Sequence, residues 1–386
     1  MNYFHWIAGW ILGLAWLWRL ADAVLGVPKI ADISRPEWNR RPAASPRVSL
    51  IVPARNEEAD IAATLTRLLA LDYDSYEVIA VDDRSTDRTG AIMEQIAASA
   101  PEKLKVLCIV DLPAGWVGKT HAMWSAGNQA NGDWLLFTDA DVQFKPDVLR
   151  RALAYAESER ADHVVLFPRM IMKRPGEKMM IAFFQTLFVF GHRPWKVADP
   201  KSKDHMGVGA FNLIRRKVYD AVGTYGALRF DVLDDMKLGK VVKNGGFAQR
   251  NVFGADLISI RWARGAMGVV DNLTKNFFAI MSFQWPRALA SCFALAFLNL
   301  MPFAGILLAH GWARLGYAVA LFSMFSIYAG MSRQSDIPPY YFLLHPISSA
   351  LFVYTMLRST FLALWKGGVV WRGTFYPLED LRRGMV

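Results

Sequence analysis

Val48-Ser-Leu-Ile-Val-Pro-Ala-Arg-Asn-Glu57 decides the fold. Val48 to Val52 is a short β-rich run that passes straight into a polar turn, and a helical pattern follows from Glu58 to Leu71. The same order returns at Glu77-Val-Ile-Ala-Val81, which ends in Asp82-Asp83-Arg-Ser-Thr-Asp87 and leads to a helical stretch from Thr89 to Ala98. Trp134-Leu-Leu-Phe-Thr138, ending in Asp139-Ala-Asp141, and His163-Val-Val-Leu-Phe167 continue the series. Strand, polar loop and helix in alternation predict an α/β domain with a mostly parallel sheet and flanking helices. Ligands of such sheets gather at the carboxyl ends of the strands, so the turns named here should carry the chemistry.

Those turns are acidic. Adjacent carboxylates after a buried strand repel one another and resist desolvation unless a cation or donor compensates them. Mg²⁺ or Mn²⁺ does this through oxygen ligands while keeping positions open for substrate phosphate oxygens. Taken singly, Asp82 and Asp83 could equally cap the helix that starts near Thr89. Carboxylate clusters on three successive strand ends favour the divalent cation.

Outward from this core the chain turns apolar. Of 386 residues, 53% are hydrophobic and only 20% charged, too apolar for a purely soluble protein and incompatible with disorder. Met1 to Trp18 is uncharged and is followed by Arg19, Asp22 and Lys29, which reads as an N-terminal transmembrane helix within residues 1–28. Ala288 to Ala309, Leu315 to Ser332 and Tyr340 to Leu357 are near spanning length and make residues 288–365 the C-terminal membrane segments. Between these lie a Pro- and Arg-containing linker (29–46), the α/β domain (47–265) and a mixed stretch (266–287) that reads as an interfacial amphipathic helix. Met179 to Phe190 is apolar inside the α/β region and suits either a surface-lying helix or the core. Residues 366–386 form a basic, aromatic tail. Cys108 and Cys292 are too far apart in sequence and context to suggest a disulfide framework or a thiolate zinc site. A net charge of +10 suits an anionic partner, yet no basic patch is interleaved with aromatics, so nucleic acid is not expected.

Val-Pro-Ala-Arg-Asn-Glu-Glu (52–58), Val-Asp-Asp-Arg-Ser-Thr-Asp (81–87), Gly118-Lys119 and Thr-Asp-Ala-Asp (138–141), in this order and spacing, resemble the family 2 glycosyltransferases of the Rossmann-like GT-A fold, over roughly residues 47 to 265. The resemblance implies that Pro53, Ala54, Arg55, Glu57, Asp82 and Asp83 surround the base and ribose of a nucleotide sugar, with UDP-sugars the first expectation. It implies Asp139 and Asp141 as holders of a divalent metal, Mg²⁺ or Mn²⁺, with Asp139 also at the sugar nucleotide and Lys119 as a phosphate partner. Trp124 stands where the family often has Asn, so packing is expected to replace a sugar contact there, and His121 reads as structural.

An inverting transferase needs a carboxylate beside the acceptor hydroxyl. The family supplies it as the second acid of a pair before a Leu-Gly helix, which implies Asp235 as base next to Asp234; Asp at a helix start also complements the dipole. Gly207-Val-Gly209-Ala-Phe-Asn212 resembles the loop on which a sugar rests, with Gly209 and Asn212 as its contacts, and an ordinary Gly-rich turn is the alternative. Ile258-Ser-Ile-Arg261-Trp262 keeps the Arg-Trp of the processive synthases, with Arg261 and Trp262 expected near the substrate, but has Ile in place of their Gln. Trp371-Arg372-Gly373 and Gly115-Trp-Val-Gly-Lys119 are similar to the hopene-associated members, which adds Trp371 and Arg372 to the substrate contacts.

The resemblance therefore implies a membrane-bound inverting hexosyltransferase acting on a lipid hydroxyl, with a processive polysaccharide synthase or a non-catalytic scaffold of the same fold as alternatives. A multi-pass protein of a bacterial-type inner membrane, its catalytic domain in the cytoplasm, is the expected setting. Parity of four crossings would export the tail, whereas Lys366, Arg372, Arg382 and Arg383 favour an inside tail and one C-terminal segment that does not cross.

Overall fold

The computed structural model describes residues 3–384, which divide into two compact units. One is α/β and comprises Ile30–Ile171, Pro194–Arg261 and the chain from Glu379; the other is helical and comprises the chain up to Lys29, Met172–Arg193 and Trp262–Leu378.

The α/β unit contains strands β1 (Val48–Ala54), β2 (Tyr76–Asp83), β3 (Leu104–Ile109), β4 (Trp134–Phe137), β5 (Val142–Phe144), β6 (His163–Leu166), β7 (Arg169–Met170), β8 (Asn212–Arg215), β9 (Gln249–Val252) and β10 (Ile258–Ile260). Seven of them form one sheet in the order β3-β2-β1-β4-β8-β6-β9, while β5, β10 and β7 form a smaller one. β1 is buried along its whole length, as expected of a parallel strand covered on both faces. Alternate residues serve opposite cores. Leu50, Val52, Val78 and Ala80 pack with Leu65 and Leu68 of the helix Ile61–Leu69, and Ile51, Ile79 and Val81 pack with Ala122, Met123 and Ala126 of the helix Gly118–Gln129.

Strand β1 pairs in parallel with β2 and with β4, in a register that sets Ala54 opposite Asp82. The expected polar turns thus leave the sheet side by side. Strand β8 is the exception to the parallel pattern, running antiparallel between β4 and β6, and it brings the Gly207–Phe211 loop to the same edge as Asp139.

In the helical unit, four segments have the length and composition to cross a membrane: Tyr3–Lys29, Trp285–Leu308, Trp312–Met331 and Pro339–Lys366. Gly9 and Gly13 let the first of these lie directly on the backbone of Ala313 and Gly316, where a Cβ would collide. The helix Pro175–Gly191 belongs to this unit even though its sequence lies inside the stretch 47–265. Its Met180 and Phe183 pack with Val269 and Val270 of the helix Gly265–Ile280 and with Phe352. Fully buried Glu177 joins the starts of these two helices, accepting N–H bonds from Lys173 (2.6 Å), Arg174 (3.2 Å) and Gly265 (2.9 Å). After the helix His345–Lys366 the chain closes a hairpin, β11 (Gly368–Trp371) and β12 (Thr374–Pro377).

Candidate functional site

The turns after β1 and β2 are tied to each other by side chains. Asn56, held at φ 55°, donates its N–H to Ser85 Oγ (3.0 Å) and accepts from the Thr86 N–H at Oδ1 (2.8 Å). The Glu57 N–H donates to Thr89 Oγ1 (2.8 Å), and Glu58 and Arg88 are joined by the Arg88 N–H to Glu58 Oε2 bond (3.1 Å). Asn tolerates a left-handed backbone because its amide bonds locally. Pro53 and Ala54 are the buried end of β1, and Arg55 and Glu57 are half-buried beyond it.

Asp82 accepts the Ser85 N–H (3.2 Å), while Asp83 takes a two-pronged ion pair from Arg84, Nε at 2.7 Å and Nη2 at 3.1 Å. A Cβ on Gly118 would stand 2.5 Å from both Asp83 Oδ2 and Arg84 Nη2, so a side chain there would push the Asp83–Arg84 pair aside. These residues set charged and hydrogen-bonding groups side by side at the carboxyl ends of β1 and β2.

Lys119, one residue into that helix, is the electrostatic centre. Its Nζ lies 2.8 Å from Asp139 Oδ1 and 3.4 Å from Asp234 Oδ2. Burial works against the ammonium, but the attraction of Asp139, Asp234 and Asp235 outweighs it and holds the lysine pKa above its ordinary value. The Asp139 N–H donates to the Gly209 carbonyl (3.0 Å), and the Gly209 N–H donates to Asp235 Oδ2 (2.9 Å). The Met236 N–H bonds Asp235 Oδ1 (2.7 Å), so both carboxylate oxygens of Asp235 are oriented by backbone. Burial raises the Asp235 pKa, Lys119 opposes that rise and Asp139 adds to it.

Asp141 is pushed up to about 7 by burial first, then by the negative charge of Asp139 and Glu57. That crowding fits a divalent cation, because a hard ion with oxygen ligands would relieve repulsion that protonation otherwise relieves. Among the described residues no three His, Cys, Asp or Glu converge as a self-sufficient metal cage. The donor set thus suits an ion held by Asp139 and Asp141 together with ligand phosphates.

Lys119, Asp139, Gly209, Asp234 and Asp235 are brought together, as a linked series of contacts. Asn212 is not part of it. It is buried in β8 and bonded to His163 Nε2 (3.2 Å) and the Val208 carbonyl (2.8 Å), within a network that Gln249 completes on His163 Nδ1 (2.8 Å). Arg261 ends the α/β unit, whereas Trp262 packs against Phe184 in the helical unit, with ring centroids 5.2 Å apart. Trp371 and Arg372 belong to the helical unit's hairpin, where Lys275 Nζ lies 4.2 Å from the Trp371 ring centre. Trp124 packs on Trp116 at 5.0 Å and His121 on Trp116 at 5.3 Å, a ring cluster in keeping with packing roles.

Sequence reasoning quoted Arg84, Asn56 and Gly118 within the motifs but gave them no role of their own. Only the adjacency of Arg84 to the Asp pair, already visible in the motif, could have signalled its ion pair. It also passed over Gly239, where a Cβ would collide with the Met206 carbonyl, and it missed why Gly207 is glycine: a Cβ there would strike the Asp235 backbone.

Residues 49–223 match the model of the family described as Glycosyl transferase family 2. The chain has the GT-A fold, and over residues 49–223 it is similar to the family 2 glycosyltransferases. A β-monoglucosyldiacylglycerol synthase from Synechocystis is 36% identical over 159 residues, 39% of this chain and 32% of that protein. A 4,4'-diaponeurosporenoate glycosyltransferase from Staphylococcus haemolyticus is 23% identical over 232 residues, 59% of this chain and 60% of the relative. The chain thus spans between a third and three-fifths of these relatives' lengths. The fold is matched by a Pyrobaculum calidifontis mannosyltransferase in complex with GDP-Man and Mn²⁺, with a TM-score of 0.55 and 21% identity over 93% of this chain and 96% of that one.

Proposed function

We propose that the protein is a membrane-bound inverting glycosyltransferase that moves one sugar from a nucleotide sugar, a UDP-sugar in the first instance, to the hydroxyl of a membrane lipid. The observation that carries this reading is the Lys119 bridge, which joins Asp139 at a strand end to Asp234 and so sets the phosphate-binding and base-bearing elements beside each other. In this reading Pro53, Ala54, Arg55, Glu57, Asp82 and Asp83 hold the nucleoside, and Lys119 exchanges Asp139 for the diphosphate when the donor arrives. A divalent cation on Asp139 and Asp141 would neutralise the diphosphate as it leaves.

Asp235, held by two backbone N–H groups, takes the proton of the acceptor hydroxyl while that oxygen attacks the anomeric carbon from the face opposite the diphosphate. The carbon–oxygen bond to the diphosphate breaks, and the nucleoside diphosphate departs with the electron pair. The raised pKa of Asp235 makes it a better proton acceptor than a solvated aspartate, and the charge of Lys119 opposes its protonation. The apolar helices keep the protein at the bilayer, where such an acceptor resides. The tail Trp371-Arg372-Gly373 supports a hopanoid-type acceptor, and an inner-membrane setting with a cytoplasmic catalytic domain accords with nucleotide sugars being cytoplasmic. Ile258, in place of the synthase Gln, disfavours the processive alternative.

Purified protein incubated with a panel of nucleotide sugars, Mn²⁺ and membrane lipid extract should yield a lipid heavier by one hexose in mass spectrometry. Hydrolysis of donor without a glycolipid, or a ladder of added sugars, would overturn the single-transfer reading.

A further inference from the structure

The hairpin Gly368–Pro377 has apolar residues on both faces. Val369, Trp371 and Tyr376 are turned into the protein and buried. On the other face Val370 stands directly opposite Phe375 in the ladder, and the two are 50% and 49% exposed. A two-stranded ribbon with one face packed on protein and the other in water alternates apolar with polar residues. Here the outward pair is a valine and a phenylalanine, so water is the wrong solvent for it.

The place of the hairpin in the chain identifies the right one. It follows the segment Pro339–Lys366, one of the four with spanning length and composition. Gly367, at φ 68°, ends that helix in the left-handed conformation and turns the chain back on itself. The Leu378 N–H donates to the Gly367 carbonyl (2.9 Å), which closes the ribbon's base on the helix end. The hairpin therefore cannot travel far from the level at which the helix leaves the lipid.

Phe361 and Trp365, in the last two turns of the same helix, are 60% and 74% exposed and their rings lie 5.3 Å apart. Both are exposed apolar side chains at the end of the helix that leads into the hairpin. Lys366 and Arg372, both exposed, lie on either side of Val370 in sequence, the arrangement that anchors an interfacial element to phosphate headgroups.

We propose that this hairpin is a membrane-seated wedge, with its Val370–Phe375 face in the headgroup–acyl boundary of the leaflet where the helix His345–Lys366 ends. The occupant of the face is lipid, at a depth of ~5–10 Å typical of interfacial elements. The inference rests on the membrane reading of Pro339–Lys366 but is independent of the chemistry of the α/β unit and of which side of the membrane the tail occupies.

The test uses the full chain with Cys108→Ser, Cys292 being buried, reconstituted in phosphatidylcholine–phosphatidylglycerol vesicles. Phe375→Cys, Val370→Cys and, as a reference on the helix, Phe361→Cys are each labelled with a polarity-sensitive fluorophore. Labels at 375 and 370 should emit to the blue, be quenched by lipids carrying a shallow spin label and be protected from aqueous iodide. Iodide quenching at 375 and 370 equal to that of a label on exposed Lys217→Cys, with Phe361→Cys quenched by lipid, would overturn the wedge while leaving the membrane helix intact. Quenching by neither agent at 375 and 370 would mean that protein covers the face and would overturn it as well. Iodide quenching at all three positions would remove the membrane reading and the wedge with it.

Discussion

Two buried polar clusters, one in the α/β unit and one in the helical unit, are built by opposite means. Around Lys119 the α/β unit gathers one ammonium and the carboxylates of Asp139, Asp234 and Asp235, a cluster of full charges. The helical unit buries Asn299, Tyr328 and His345 as a hydrogen-bonded chain, with the Tyr328 hydroxyl 3.0 Å from His345 Nδ1 and His345 Nε2 3.1 Å from Asn299 Oδ1. An unpaired charge is too costly between helices in hydrocarbon, whereas uncharged partners there hold helices together at modest gain. A buried charged cluster is costly to desolvate, which makes it a candidate for exchanging partners with a charged ligand. On the reading proposed above, the first cluster rearranges and the second stays.

The largest effect that would break this contrast is at Asp139 and Asp141. On the proposed reading, Asp139→Ala or Asp141→Ala should abolish Mn²⁺-dependent binding of the nucleotide sugar, because the ion would lose one of two protein carboxylates. Calorimetry with and without Mn²⁺ reads this directly; unchanged affinity in both variants would mean that the charged cluster is merely structural.

Asp235→Asn comes next. Donor binding should persist while turnover falls by a factor of ~10² or more, the scale of a lost general base. An Asn variant that glycosylates lipid at near the parent rate would move the base to Asp234 or Asp231.

The uncharged mode also occurs within the α/β unit, and pH tests it there. Burial lowers the His163 pKa from 6.5 to about 4, so the fold favours the neutral ring. Its contribution is fully present above pH 6.5 and is lost as pH falls through 4, since the unfolded chain takes up the proton first; the whole span is worth about 3 kcal/mol. Thermal unfolding from pH 7 to 4.5 should show a falling midpoint that is flatter in His163→Gln; an equal slope in both would assign acid sensitivity elsewhere.

The smallest expected effect is in the helical chain of hydrogen bonds. Asn299→Leu leaves His345 Nε2 without its partner and should lower stability in detergent by roughly 1 kcal/mol, the usual scale between membrane helices. Unfolding in a graded denaturing detergent measures it, and no change would show that the His345 contact adds nothing.

Much of the α/β sheet was legible because β1 and β2 are apolar on both faces and stop at turns that nothing but a strand end would place there. Four spanning-length segments were legible for the same reason, since length and apolar composition are local properties. The helix Pro175–Gly191 was legible as a helix but not by its place: the pattern Met179–Phe190 looks the same whether its neighbours belong to a sheet or to other helices, and its membership of the helical unit is decided by Val269, Val270 and Phe352. The antiparallel insertion of β8 was equally hidden, because Asn212–Arg215 is four residues long and strand direction leaves no mark on so short a run. Asn212 itself read as a sugar contact from its Gly-rich surroundings, yet it spends its hydrogen bonds on His163 and Val208.

The sequence by itself determined which residue types stand at the strand ends, because a buried strand must finish in a turn and an acidic turn must find a counter-charge. It determined that four segments have the length and apolar composition to cross a membrane, because both are properties of a local run of residues. Only the tertiary structure decided that Lys119 serves Asp139 and Asp234 together and that Gly209 links Asp139 to Asp235. Those contacts join elements far apart in sequence, and their partners are chosen by the sheet order and by the close approach that Gly118, Gly207 and Gly239 permit, quantities that no local pattern of residues contains.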